Sequence, residues 1–254
     1  MSEKNITSKA TLGLKARPFK VNQIQNDMKN LMACLFLGLI ISASAQKREI
    51  EVGNFTKVSF GVPGVIYITQ GSSNSLVIDA SDEAMDLIEI EEDGSRLRIK
   101  QKNYRNWKMW RDNDITVYVT MRNVSDLSVS GSGDMIGKNK IKTGDLGISV
   151  SGSGNVELDV ASDDLDISIS GSGDVSLEGT GNEAETSISG SGKLMAEDLE
   201  VDVFEASISG SGKCYITANK EIDARISGSG TVYYKGNPDR VSSRSSGSGK
   251  VKKM

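Results

Sequence analysis

The triplet Gly-Ser-Gly recurs seven times in the chain, with first glycines at Gly131, Gly152, Gly171, Gly190, Gly210, Gly228 and Gly247. The spacings of 21, 19, 19, 20, 18 and 19 residues constrain the fold more than any other feature. A fixed period means that each copy builds one unit that buries its apolar face only by stacking on the next. A period near 19 residues is too short for most helical repeats and suits one coil of a β-solenoid. Two positions before each first glycine stand Val129, Val150, Ile169, Ile188, Ile208 and Ile226; four positions after it stand Met135, Val156, Val175, Leu194, Cys214, Val232 and Val251. These columns are expected to face inward. The serines that alternate with them, Ser130, Ser151, Ser170, Ser189, Ser209, Ser227 and Ser246, complete the apolar–polar alternation of a half-buried strand.

Glycine between two inward columns fits a backbone bend at positive φ and the close approach of stacked coils. Both glycines of each copy therefore read as structural. Coils repeating every ~4.8 Å place like residues in ladders, aliphatic inside and serine outside, with the serines expected to hydrogen-bond along the ladder. The last copy, "SSRSSGSGKVKKM", puts Ser245 in the Val/Ile column and Lys253 at an inward position, which is the wet outer face of a terminal cap. Upstream, "VSFGVPGVIYITQG", "SLVIDA", "RLRIKQK" and "ITVYVTM" read as earlier, divergent coils, and "SDEAMDLIEI" as another such run or as one or two helical turns. The expectation is an all-β, single-stranded parallel β-helix over residues 46–254, with ten or eleven coils in a rod of ~50 Å.

An export signal precedes it. In "MKNLMACLFLGLIISASAQ", Met28 and Lys29 lead into the apolar run Leu31 to Ile41, followed by Ala43, Ser44 and Ala45, the form of a signal peptide cleaved before Gln46. The run is too short for a membrane span, which needs ~20 apolar residues, and Cys34 lies too early in it for a lipoprotein box. Residues 28–45 are thus assigned to the signal. Residues 1–27, polar and with five basic side chains, are read as an extension before a true start at Met28. Without residues 1–45, 24 basic residues face 32 acidic ones, a net charge near −8. That balance disfavours nucleic acid and anionic lipid, which need a positive patch.

The run "GNFTKVSFGVPGVIYITQGSSNSLVIDASDEAMDLIEIEEDGSRLRIKQKN", with Phe55, Val65, Ile68, Gln70 and Gly71, and the "SGSG" series after "DITVYVTMRNVSDLSVSGSGDM" resemble the bacterial auto-transporter adhesin head GIN domain. The resemblance covers essentially all of the chain after the signal. It implies an exported protein of Bacteroidetes-like bacteria folded as a right-handed β-helix. No catalytic residue set belongs to that family, so none carries over.

Candidate chemistry narrows from there. Histidine is absent, which removes His-dependent triads and most zinc sites. Phosphate loops need a helix after the glycines, and no helix pattern follows any "GSG". Calcium β-rolls repeat every nine residues, and the residues after "GSG" run Asp134, Asn155, Asp174, Lys193, Lys213, Thr231, Lys250, which is no column of oxygen ligands. No metal and no cofactor is expected. Cys214 falls in the inward column and reads as a small hydrophobe. Asp163, Asp164 and Asp166, or Glu197 and Asp198, are the carboxylates that a polysaccharide hydrolase or lyase would use, against the plainer role of soluble turn residues. "NYRNWKMWRDND" interrupts the repeat with both tryptophans of the chain. Tyr104, Arg105, Trp107, Trp110 and Arg111 are the candidate binding residues, suited to stacking on sugar rings or anchoring a protein; the alternative is a flap covering the solenoid. The favoured reading is a non-enzymatic, adhesive envelope or surface protein that binds glycan or protein, with the carboxylate enzyme and a structural spacer as alternatives.

Overall fold

The computed structural model describes residues 46–102 and 115–254. From Asp126 onward the coils follow the chain. Strands β8 (Asp126–Gly131) and β9 (Asp134–Gly137) meet at the first Gly-Ser-Gly corner; β10 (Ile141–Gly152), β11 (Asn155–Gly171), β12 (Asp174–Gly190), β13 (Lys193–Gly210) and β14 (Lys213–Gly228) are long strands that bend within one coil; β15 (Thr231–Lys235), β16 (Arg240–Gly247) and β17 (Lys250–Lys253) finish the stack. All pair in parallel, with like residues opposite one another around each corner and register shifts only away from it, after Ser176 on β12 and after Ala196 and Val201 on β13. The stretches before each corner make a first face and the stretches after it a second.

The first face is held by the ladder Val129, Val150, Ile169, Ile188, Ile208 and Ile226, ending on Ser245. The second is held by Met135, Val156, Val175, Leu194, Cys214, Val232 and Val251. Burial makes each ladder continuous: from Val129 to Ile226 and from Met135 to Val232 every member is at most 3% exposed. The two glycines of each corner differ in duty. Gly152 has φ +121°, and a Cβ there would lie 2.5 Å from the Gly131 carbonyl oxygen. Gly154 needs no special φ, but a Cβ would collide with the Gly133 carbonyl and lie 2.7 Å from a Val129 methyl. Between them the Ser153 N–H donates to the Gly131 carbonyl at 2.8 Å, so the backbone ladder passes through the corner.

The serine columns line up as expected, but among the described residues no hydrogen bond joins one serine of these columns to the next. Their hydroxyls face solvent, so the order comes from the backbone.

The upstream region is not a run of earlier coils in chain order. Strands β1 (Gln46–Ile50), β2 (Lys57–Gly61), β3 (Val65–Gln70) and β4 (Ser75–Ala80), the one-turn helix α1 (Asp82–Met85), and strands β5 (Ile88–Asp93), β6 (Arg96–Gln101) and β7 (Thr116–Met121) are threaded out of sequence. Strand β2 lies between β6 and β8, and β3 between β7 and β9, all parallel. The order of rungs is therefore β6–β7, β2–β3, β8–β9 and onward. Phe60 joins Ile99 to Val129 in the first ladder, and Ile66 joins Val117 to Met135 in the second. Beyond β6–β7 the pairing turns antiparallel, with β5 on β6, β4 on β7 and β1 on β4. The result is seven coils in register plus two rungs out of order, ~40 Å at ~4.8 Å per rung, in place of the ten or eleven consecutive coils expected. Identical strand patterns at Lys57–Gly61 and Arg96–Gln101 do not reveal which lies against β8.

Helix α1 resolves "SDEAMDLIEI" as one turn followed by a strand. The Ser81 hydroxyl accepts from the Ala84 N–H at 3.2 Å, the standard N-cap arrangement. Ala84 is buried, and Met85 and Leu87 pack on the core.

Candidate functional site

Tyr104, Arg105, Trp107, Trp110 and Arg111 lie outside the described residues. Their flanks are fixed: the Lys102 N–H donates to Leu87 O at 2.8 Å, and Ile115 O accepts from the Val65 N–H at 2.9 Å. In the chain the segment stands between β6 and β7.

The two sets of candidate carboxylates lie in different grooves. Asp164 and Asp166 line a groove of about 450 Å³ with Asp145, Glu183 and Glu185, while the Asp163 carboxylate accepts from Asn182 Nδ2 at 3.1 Å. Glu197 and Asp198 line a different groove of about 340 Å³ with Glu157, Glu178 and Met195, and Glu197 pairs with Lys235 at 3.2 Å. Among the described residues no group of three or more Cys, Asp or Glu is arranged to hold a metal. In the column after the corner, Asp134 accepts from Asn155 at 2.8 Å and Asp174 pairs with Lys193 at 3.2 Å. Asp174, one of the residues that vary between copies, is thereby tied to its neighbour. Burial pushes the Cys214 thiol up to about 12, leaving it neutral and unreactive.

What periodicity alone left unread is the outward column of the second face. It runs Tyr118, Tyr67, Ile136, Glu157, Ser176, Met195, Tyr215, Tyr233, Lys252. Tyr67 and Tyr118 stack at 5.5 Å, with the Lys138 ammonium 4.8 Å from the Tyr67 ring centre. Tyr215 and Tyr233 stack at 4.9 Å and 9°. The signal was present: the fifth residue after each first glycine is the position that turns aromatic in the late copies.

The described residues thus build a parallel β-solenoid with glycine corners, a class of repeat protein in which each coil contacts only its neighbours. The chain belongs to the family described as "Putative auto-transporter adhesin, head GIN domain", which matches residues 54–238. Among solved structures, a "putative adhesin" from Bacteroides fragilis is similar at 29% identity and a TM-score of 0.75, covering 82% of this chain and 96% of the other. A protein from Parabacteroides distasonis described as a "putative lipid binding protein" shares 25% identity with a TM-score of 0.66, covering 84% and 98%. A third, from Parabacteroides merdae, shares the fold at 22% identity and a TM-score of 0.64, covering 84% and 97%. No curated protein matches the chain. Among the described residues no helix is long and apolar enough to cross a membrane.

Proposed function

We propose that the protein is exported by the signal over residues 28–45 and acts, without enzymatic turnover, as an adhesive surface or envelope protein that binds glycan or protein. The observation that carries this reading is the pair of outer faces: register-locked columns over nine rungs hold side chains at fixed spacing, which preorganises a repetitive ligand surface at little ordering cost. Family membership and the "putative adhesin" relative support the same direction. The segment with Tyr104, Arg105, Trp107, Trp110 and Arg111 is assigned as one contact surface, since aromatic and arginine side chains dominate recognition sites.

The test is binding of the chain from Gln46 to a glycan array and to immobilised envelope and host-surface proteins, beside a Trp107→Ala, Trp110→Ala variant. Binding that the variant loses is expected. Unchanged binding removes the segment from the mechanism, and a chain that binds no glycan and no surface protein overturns the adhesive reading. Cell fractionation for a form beginning at Gln46 tests the export step.

A further inference from the structure

We infer that the C-terminal end of the second face is a binding site for an acidic oligosaccharide, an inference that rests on the adhesive reading above and gives it a place on the molecule. Three successive rungs build it. In one column Lys213 of β14, Thr231 of β15 and Lys250 of β17 lie in register; in the next, two residues along each strand, lie Tyr215, Tyr233 and Lys252. Strand spacing of ~4.8 Å and an advance of ~6.6 Å over two residues make this a flat grid. Lys213 and Lys250 stand two rungs apart, ~9.6 Å, with the phenol pair beside them. The lysines are exposed. Of the carboxylates near its edges, Asp174 is paired with Lys193 and Glu197 with Lys235, each at 3.2 Å.

Every polar side chain of this grid can donate a hydrogen bond, and three carry positive charge. That chemistry selects a ligand rich in acceptors and negative charge. The patch is the more telling because 32 acidic residues outnumber 24 basic ones beyond residue 45. The rings decide among anionic ligands. Tyr215 and Tyr233 stack at 4.9 Å and 9°, close to one rung spacing, so they face each other along the stack. The Lys252 ammonium, one rung further on, stands over the Tyr233 ring 5.7 Å from its centre. Both faces of Tyr233 are therefore covered, and the pair offers hydroxyl edges. A single-stranded nucleic acid needs open aromatic faces on which bases stack. A lipid surface needs a contiguous set of projecting apolar side chains, and here Met195 and Met254 stand at opposite margins of the grid with the tyrosines and lysines between them. Two phenol hydroxyls a rung apart, without partners among the described residues and flanked by ammonium groups, suit sugar hydroxyls flanked by carboxylates or sulfates.

The test measures binding of the full mature chain to oligogalacturonate, to its methyl-esterified form, to dextran sulfate, to oligothymidylate and to phosphatidylglycerol vesicles. Binding to an acidic sugar is expected, falling with added salt and weaker on the order of tenfold for the ester. Lys213→Glu with Lys250→Glu should lower it by a further order of magnitude. Tyr215→Phe with Tyr233→Phe keeps the stack and should lower it about threefold through the lost hydroxyls; circular dichroism and thermal melting confirm that both variants fold. Equal binding of acid and ester, tighter binding to oligothymidylate or vesicles, or a lysine variant indistinguishable from wild type overturns the inference. If array ligands are still bound while the lysine variant loses nothing, this site falls and the adhesive reading stands; a chain that binds nothing takes both.

Discussion

At the scale of single residues, the inner columns are so uniform that their exceptions are informative. Thr186 occupies the ladder between Ile167 and Ala206, is fully buried, and its hydroxyl has no hydrogen-bond partner. An unsatisfied buried hydroxyl costs stability that an isosteric methyl does not. Thr186→Val is expected to stabilise the fold by about 1 kcal/mol, read as a higher urea midpoint at unchanged m-value. Cys214 gives the opposite lesson. Its thiol is held at about 12 against an ordinary 9.0, with desolvation as the cause. Protonation is favoured in the folded state, so this contribution is complete below pH 9 and is lost as pH rises toward 12. Cys214→Val should flatten the alkaline limb of stability measured by urea denaturation between pH 8 and 11, and native Cys214 should resist alkylation at pH 8 until the chain unfolds. Cys214 was legible as an inward position because the 19-residue period names its column, whereas Thr186, four positions before Gly190, lies in a column that the reading of the repeat did not name. What the period does not show is whether a polar atom in it finds a partner, which depends on the neighbours above and below.

At the scale of the element, the corner is the unit that makes stacking possible. Gly190 has φ +125°, and its Cβ would meet the Gly171 carbonyl of the preceding coil. Gly190→Ala is expected to cost about 1–3 kcal/mol in backbone strain with added steric cost, whereas Ser191→Ala, at an exposed hydroxyl, should leave the melting temperature within experimental error. The sequence predicted both glycines as structural, and the structure divides the work between conformation and close approach. Strand identity was equally readable; strand order was not. Phe60 and Ile99 satisfy the same inward slot, and nothing local distinguishes the rung next to β8 from the one beyond it. What differs is the next layer, where β5 lies antiparallel on β6 and β4 on β7. Truncation exposes the difference in position. Phe60→Ala, inside the ladder and fully buried, should cost about 3–5 kcal/mol, and Val251→Ala, on the open last rung, under about 1 kcal/mol.

At the scale of the molecule, the two ends are unlike. The N-terminal end carries antiparallel strands, β5 on β6 and β1 on β4. The C-terminal end leaves β16 and β17 as edge strands, with Arg244 exposed, Ser245 in the Val/Ile column and Lys253 opposite Tyr234. Charged edges are a recognised safeguard against pairing with another chain. Arg244→Ile, Ser245→Ile and Lys253→Ile together should therefore produce a sedimentation coefficient that rises with protein concentration beyond that of the wild type. Net charge was a poor guide at this scale, since it averages an acidic body with a basic end, and only the stacking of the last coils gathers Lys213, Lys250 and Lys252 into one patch.

The out-of-order rung has a kinetic consequence. Lys57 pairs with Asp126 and Val65 with Asp134, so β2 and β3 wait for a segment 69 residues downstream, while each later coil closes on the one just before it. A chain that emerges N-terminus first holds its first rung unfinished until β9 has appeared, and then lengthens one coil at a time on a completed template. Assembly would show a single slow step, set by that long closure, followed by fast additions, and mutations in β2 or β3 would slow folding more than equally destabilising ones in β14.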